Sequence, residues 1–376
     1  VGVKFRRRAA GRQSLSKTPG RSSRPTVYER PDWQLGPYGP SGVSHRCVGT
    51  AATIASPLST ITLKIHPMAL GITEDITELI GKTPLLHLRS VVPAGAANVY
   101  AKLEYLNPGG SIKDRAALGL ITDAEQRGRL KPGATIIEPT AGNTGVGLAL
   151  IGRTRGYRVI LCVPEGYSRE KMQVAEALGG TLVYTPYEEG IPGAIRKALE
   201  LAESIPDAFV PQQFSNPANP HIHYLTTGAE IYEQLGGKVD GIAIGCGTAG
   251  TFSGVARYIR ERNPNAVCIA VETEGSVLGG GQPGPHKVEG IGTSFIPENF
   301  HRELCDEVVA VTDRDAFAMV RRLACEEGVL CGGSAGANAF AAIQLARRLG
   351  EGKNVVTIFP DGAERYMSKG IFDELP

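Results

Sequence analysis

From residue 98 onward, short apolar, β-branched runs alternate with longer stretches of helical period. The runs are NVYAKLE (98–104), ATIIEP (134–139), YRVILCVP (157–164), TLVYTP (181–186), DAFVPQ (207–212), GIAIGCG (241–247), VCIAVET (267–273), EVVAVT (307–312) and NVVTIFPD (354–361). Most are continuously apolar, as strands covered on both faces must be. Helical period fills 144–155, 168–178, 193–203, 225–236, 252–262, 313–327 and 335–349, and a further helix-like run follows residue 113. This alternation predicts an α/β fold of open, twisted sheets with helices on both faces. About nine strands is many for one twisted sheet, so two α/β lobes with a cleft between them are expected. A smaller lobe is expected over about 84–217 and a larger one over about 218–372 plus the start of the domain. The Pro-rich SNPANP (215–220) marks the boundary.

Residues 1–67 lack such a pattern. They hold eleven Lys and Arg against Glu29 and Asp32, so the segment carries +9 of a net +2 and leaves −7 for the remainder. Rich in Ser, Thr, Pro and Gly, it is expected to be a disordered extension. Patterned sequence starts after Met68, the first Met, so the working protein is expected to be 68–376, with 1–67 outside it. An organellar transit peptide is the alternative. With 42% hydrophobic and 21% charged residues, the composition is that of a soluble globular chain. No apolar run reaches the length of a membrane span, and the charge balance gives no reason to expect nucleic acid or anionic lipid as a partner. The seven cysteines (Cys47, Cys162, Cys246, Cys268, Cys305, Cys325, Cys331) are scattered, with no CxxC. Reduced, buried thiols in an intracellular protein and no metal site are expected.

In folds of this class ligands bind where strands lead into helices. Five such loops stand out. NPGGSIKDRAA (107–117) delivers Lys113 to a helix start, where a cation faces the unfavourable end of the dipole. A solvated surface Lys beside Asp114 is the plain alternative. TAGNTGVGLAL (140–150) places Thr140, Ala141, Gly142, Asn143 and Thr144 in a small polar turn before an apolar helix, a carboxylate-sized anion site or an ordinary cap. GCGTAGTFSG (245–254) is a formal GxGxxG, with Glu272 ending the next strand. It fits a dinucleotide, or one phosphate on the N–H groups and hydroxyls of Gly247, Thr248, Ala249, Gly250 and Thr251. LCGGSAGANAF (330–340) brings Ser334 to another helix start, where capping is the commoner duty, and HKVEGIGTSF (286–295) flanks Ile291 with Gly290 and Gly292. Taken together, these groups match pyridoxal 5′-phosphate: a Lys for its aldehyde, a nest for its phosphate, a ring-nitrogen partner and a carboxylate site for an amino-acid substrate. A dinucleotide would leave Lys113 and the Asn143 loop unexplained.

The sequence resembles the cysteine synthase (O-acetylserine sulfhydrylase) family, with cystathionine β-synthase a near relative, over about 76–372. The motifs are ELIGKTPL (78–85), NPGGSIKDR (107–115), EPTAGNTG (138–145), QQFSNPANP (212–220), GCGTAGT (245–251), GPHKVEGIG (284–292), VLCGGSAGA (329–337) and PDGAERY (360–366). The resemblance implies the fold-type-II architecture, bound pyridoxal phosphate and a homodimer. It implies Lys113 as catalytic, cofactor-bearing lysine, Asn143 as contact of the cofactor's 3′-oxygen, Gly247 to Thr251 as phosphate loop, and Ser334 as partner of the ring nitrogen. Thr140 to Thr144 and Gln213 would hold the substrate carboxylate, with Gly290 near the substrate amine. Two positions depart from the family pattern: Ala141 stands where Ser is usual and Ala249 where Gly is usual. The implied reaction is β-replacement on O-acetyl-L-serine by sulfide, giving L-cysteine and acetate in the cytoplasm. The alternative within the family couples serine or an O-activated serine to homocysteine; the alternative outside it is a dinucleotide-binding oxidoreductase.

Overall fold

The computed structural model describes residues 53–56, 59–62, 72–166 and 169–373. The chain divides into two units, Val1–Leu70 and Gly71–Pro376. In the first, β1 (Thr53–Ser56) pairs antiparallel with β2 (Ser59–Thr62), a ladder the sequence pattern did not anticipate. The remaining expectations for residues 1–67 lie outside the described residues.

In the second unit all nine expected runs form strands. Along the chain come β3 (Leu85–Leu88), β4 (Asn98–Leu103), α1 (Lys113–Gln126), β5 (Thr135–Pro139), α2 (Asn143–Arg155), β6 (Arg158–Pro164), α3 (Arg169–Ala177), β7 (Thr181–Thr185), α4 (Gly190–Ser204) and β8 (Ala208–Phe209). There follow α5 (Ala218–Ile222), α6 (Ala229–Gln234), β9 (Gly241–Gly245), α7 (Gly250–Arg260), β10 (Val267–Thr273), β11 (Glu307–Val311), α8 (Asp313–Glu327), α9 (Gly333–Leu349) and β12 (Asn354–Phe359). The expected helix at 225–236 is instead a π-helical turn, His223–Gly228, leading into the short α6.

Two sheets result. One has the order β11-β10-β9-β12-β4-β3 and the other β7-β6-β5-β8. All neighbours are parallel except β3 with β4. Strands covered on both faces explain the apolar runs: β5 is buried along its whole length. The lobe boundary differs from expectation. β3 and β4 fall inside 84–217 yet pair into the larger sheet, β4 with β12 from Asn98–Asn354 to Leu103–Phe359. The reason is topological: the partner of β4 comes near the chain's end, and no local pattern reveals it. β3 escaped notice because LLHL is short, and only its last residue is fully buried.

Alanine-rich α9 carries buried residues around most of its circumference, as a helix enclosed by other elements must. Two helices end on left-handed glycines, the largely buried α2 on Gly156 and α8 on Gly328. Among the described residues, no helix is long and apolar enough to cross a membrane. None of their His, Cys, Asp and Glu gather into a potential metal site. The described cysteines are free thiols, buried except for Cys325.

Candidate active site

Loops at the carboxyl ends of strands from both sheets border one cleft of about 840 Å³. Every site residue expected from sequence lines it except Gly250. Gly250 lies underneath, where a Cβ would fall 2.1 Å from Asn219 Oδ1.

Lys113 is the first residue of α1 and is half-buried. The loop before it is tied on several sides. Ile112 N–H donates to Pro360 O at 2.9 Å and Gly109 N–H to Asp114 Oδ2 at 2.6 Å. Only glycine fits at 109, because a Cβ would sit 2.4 Å from Asp114 Oδ1. Below the loop lies a buried network of two cations and two carboxylates. Arg115 Nε donates to Glu104 Oε2 at 2.8 Å and Arg115 Nη1 to Glu230 Oε1 at 2.7 Å, and Lys102 Nζ donates to Glu230 Oε2 at 2.8 Å. Burial pushes Glu230 upward, but Arg115 and Lys102 together hold it down at about 2. The Lys113 amine sits below its ordinary pKa because burial disfavours the ammonium; Asp361 partly opposes this. The lowered value keeps more of the amine neutral, the form that attacks a carbonyl or accepts a proton.

Residues 140–142 run from β5 into α2, whose first-turn N–H groups make an anion-attracting end. Thr144 Oγ1 donates to Gln213 Oε1 at 2.7 Å. Gln213 is fixed in turn through its backbone: its carbonyl accepts Asn219 Nδ2 at 2.8 Å and Asn299 Nδ2 at 2.9 Å. Its N–H and that of Gln212 donate to the buried carboxylate of Glu138 at 3.2 and 3.0 Å. Burial raises Glu138 to about 7.

The third loop follows β9 and opens α7. Ala249 has φ 60°, the left-handed region that favours glycine. That is the physical sense of the departure seen in sequence, since a methyl group there accepts modest strain. Thr248 Oγ1 accepts Asn219 Nδ2 at 3.0 Å, and Thr251 Oγ1 lies 3.3 Å from His223 Nε2. His223 is held well below its ordinary pKa, first by burial and then by Arg115 and Lys113. At Gly247 a Cβ would sit 2.4 Å from Gly290 O, so the 284–292 loop rests directly on this turn. Glu272, the acid that a ribose would need, spends its carboxylate on the N–H groups of Leu278 and Gly279 at 2.9 and 3.0 Å. That leaves a single-phosphate cradle as the better fit to the glycine pattern.

Ser334 is the second residue of α9, behind the cap Gly332. Its buried hydroxyl borders the cleft. Three further residues were quoted within PDGAERY but given no role. Asp361 Oδ2 accepts Asn143 Nδ2 at 2.6 Å and also the Tyr366 hydroxyl. Arg365 Nη1 donates to Asn143 Oδ1 at 2.6 Å. The contacts of Asp361 and Arg365 with Asn143 span some 220 residues of sequence, so no local signal announces them.

The cleft thus offers one amine of lowered basicity, a helix-start cradle with two hydroxyls, a buried neutral hydroxyl and a second anion-attracting turn. Those are the complements of an aldehyde, a phosphate, a pyridine nitrogen and an amino-acid carboxylate, so the residues present fit pyridoxal phosphate.

Comparison with known proteins gives the same class. The family model described as pyridoxal-phosphate dependent enzyme matches residues 76–361, and the chain belongs to that family. Its two-sheet α/β architecture is the fold-type-II one that the resemblance implied. A cysteine synthase of Staphylococcus aureus is 49% identical over 307 residues, 81% of this chain and 99% of that protein. An O-acetylserine dependent cystathionine beta-synthase of Bacillus subtilis is 49% identical over 300 residues, 80% and 97% of the two chains. The crystal structure of an O-acetylserine dependent cystathionine beta-synthase from Helicobacter pylori superposes with a TM-score of 0.78 at 46% identity, covering 81% of this chain and all of that one.

Proposed function

We propose that the protein is a cysteine synthase: it exchanges the acetate of O-acetyl-L-serine for sulfide, giving L-cysteine and acetate. The observation that carries this is the meeting of Lys113, the 247–251 cradle and the 140–144 turn along one cleft. Bound pyridoxal phosphate supplies the electron sink that acidifies the substrate Cα–H and loosens the β-leaving group. Lys113 carries the cofactor, and its freed Nζ takes the Cα proton and returns it after sulfide has added. Gly247 to Thr251 hold the phosphate. Ser334 contacts the ring nitrogen as a neutral group, which limits delocalisation and favours β-elimination over other outcomes. Thr140 to Thr144, braced by Gln213, hold the substrate carboxylate, with Gly290 beside its amine. A homodimer in the reducing cytoplasm completes the reading, and the free thiols support the redox setting.

Homocysteine is the rival nucleophile, favoured by Ala141 and by the equal identity to a cystathionine synthase. Lacking a hydroxyl, Ala141 leaves room beside the substrate turn, and a contact of that kind discriminates by only about 1–3 kcal/mol. Competition between sulfide and homocysteine with O-acetylserine tests the choice. Cysteine as main product at equal thiol concentrations is expected; a larger second-order rate constant for homocysteine overturns it.

A further inference from the structure

The residues following β12 close a hydrogen-bond circuit around one side chain, Asn143. Its Oδ1 accepts Arg365 Nη1 at 2.6 Å and its Nδ2 donates to Asp361 Oδ2 at 2.6 Å. A carboxamide's two ends differ only in what they can bond to, and here the neighbours leave no choice. Turned over, it would set its NH₂ against a guanidinium and its oxygen against a carboxylate. Nδ2 has a second hydrogen that neither contact uses, and Asn143 lines the cleft. Asp361 is 1% exposed and itself anchored, since its Oδ2 also accepts the Tyr366 hydroxyl. The other arm of Arg365, Nη2, donates to the carbonyl of Gly109, in the loop that leads to Lys113. The same pair of residues therefore sets Asn143 and the lysine loop in register, across elements belonging to both sheets.

We propose that Asp361 and Arg365 are positioning residues: they lock the Asn143 carboxamide in the one orientation that presents its remaining N–H to an oxygen of the bound cofactor. The proposal rests on pyridoxal phosphate occupying this cleft and is independent of which thiol is used. Asp361 acts through Asn143 and need not touch the reacting atoms. Of its two oxygens only Oδ2 is engaged in hydrogen bonds, while Oδ1 is buried without a partner. Substituting Asp361 therefore removes the bond to Asn143 together with that to the Tyr366 hydroxyl, and the Asn143→Ala background separates the two.

The test reads the cofactor and leaves turnover aside. Wild type, Asp361→Ala, Asp361→Asn, Arg365→Met, Asn143→Ala and the double variant Asp361→Ala/Asn143→Ala are loaded with pyridoxal phosphate. Their visible absorbance maximum and cofactor Kd are recorded, together with the melting temperature of the cofactor-free protein as a check of folding. Asp361→Ala is expected to displace the band and weaken retention about tenfold, the worth of one charge-assisted hydrogen bond. Asp361→Asn, whose side-chain oxygen still accepts, should keep most of the wild-type band, and Arg365→Met should resemble Asp361→Ala. In the Asn143→Ala background the Asp361 substitution should add little, because the bond it serves is already gone. An unchanged band and Kd in Asp361→Ala overturns the proposal. So does an undiminished effect in the Asn143→Ala background, or equal damage from Asp361→Asn and Asp361→Ala, which would assign the effect to charge. Should the wild type itself develop no visible band with pyridoxal phosphate, the cofactor reading fails first, and that outcome is distinct from these.

Discussion

Two glycine-containing turns border the cleft, and they are built on opposite plans. The turn before Lys113 is packed to contact: a Cβ at Gly109 or at Gly110 would strike the side chains of Asp114 and Arg365, and a buried quartet of charges lies below. The turn at 140–144 is open on its ligand side, where a Cβ at Gly142 would meet nothing within 4 Å; Thr144 in it is braced by the neutral Gln213 side chain, and only Asn143 is held by charged groups, Asp361 and Arg365. The first turn puts one atom in one place; the second leaves room for a molecule that comes and goes. Stability and specificity are thereby assigned to different loops, so a substitution on one side should move one property and spare the other.

The largest break in that division comes from Lys113→Ala. Turnover is expected to fall by at least about 10²–10⁴-fold, the scale of a lost general base, while the melting temperature of the cofactor-free protein holds. Steady-state kinetics beside a thermal melt checks both halves. Arg115→Met should do the reverse, since Glu104 and Glu230 then lose a buried partner. A loss of about 3–5 kcal/mol in urea unfolding is expected. Thr248→Ala with Thr251→Ala should weaken cofactor retention by up to about 1.5–3 kcal/mol per lost bond to the phosphate, read by dialysis and absorbance.

A pH series sharpens the comparison, because a carboxyl group raised to about 7, chiefly by burial, lies behind each turn: Asp114 accepts the Gly109 N–H of the first, and Glu138 accepts the N–H groups of Gln212 and of Gln213, the residue that braces the second. Unfolded, both release their protons near pH 4. Between there and about pH 7 the folded chain holds protons that the unfolded chain has lost. These two groups therefore make stability fall as pH rises through that window and contribute no further slope above it. Glu138→Gln should flatten the profile by up to about 1.4 kcal/mol per pH unit, measured by unfolding from pH 5 to 7. Smallest of all, Ala141→Ser should shift the sulfide-to-homocysteine preference toward sulfide with a stability change of about 1 kcal/mol or less, since the half-buried Ala141 packs at the margin of an apolar cluster.

What could be read from the chain follows the range of the forces involved. Strands such as ATIIEP announce themselves because burial on both faces demands apolar residues within one short window. The glycine turns are legible for a similar reason, since Lys113, Asn143 and Thr248 stand beside the glycines that shape their loops. Asp361 and Arg365 were not legible as functional, because their meaning lies in contacts with Asn143, more than two hundred residues earlier. β4 was placed in the wrong lobe for the same reason. Glu272 shows the converse: in sequence it stood where a ribose acid would, and only its hydrogen bonds to Leu278 and Gly279 reveal a structural duty.

Strand order carries a consequence for how the molecule is made. β12, the last strand in sequence, does not sit at an edge; it lies between β9 and β4. On the ribosome, β4 and β9 emerge long before the strand that joins them, so the larger sheet stays split until Asn354–Phe359 has been synthesised. Asp361 and Arg365 follow directly after that strand and arrive with it. A ribosome stalled before residue 354 would therefore carry a chain with an unpaired sheet and no completed cofactor cleft, so pyridoxal phosphate can be captured fully only after β12 and the residues behind it have been made.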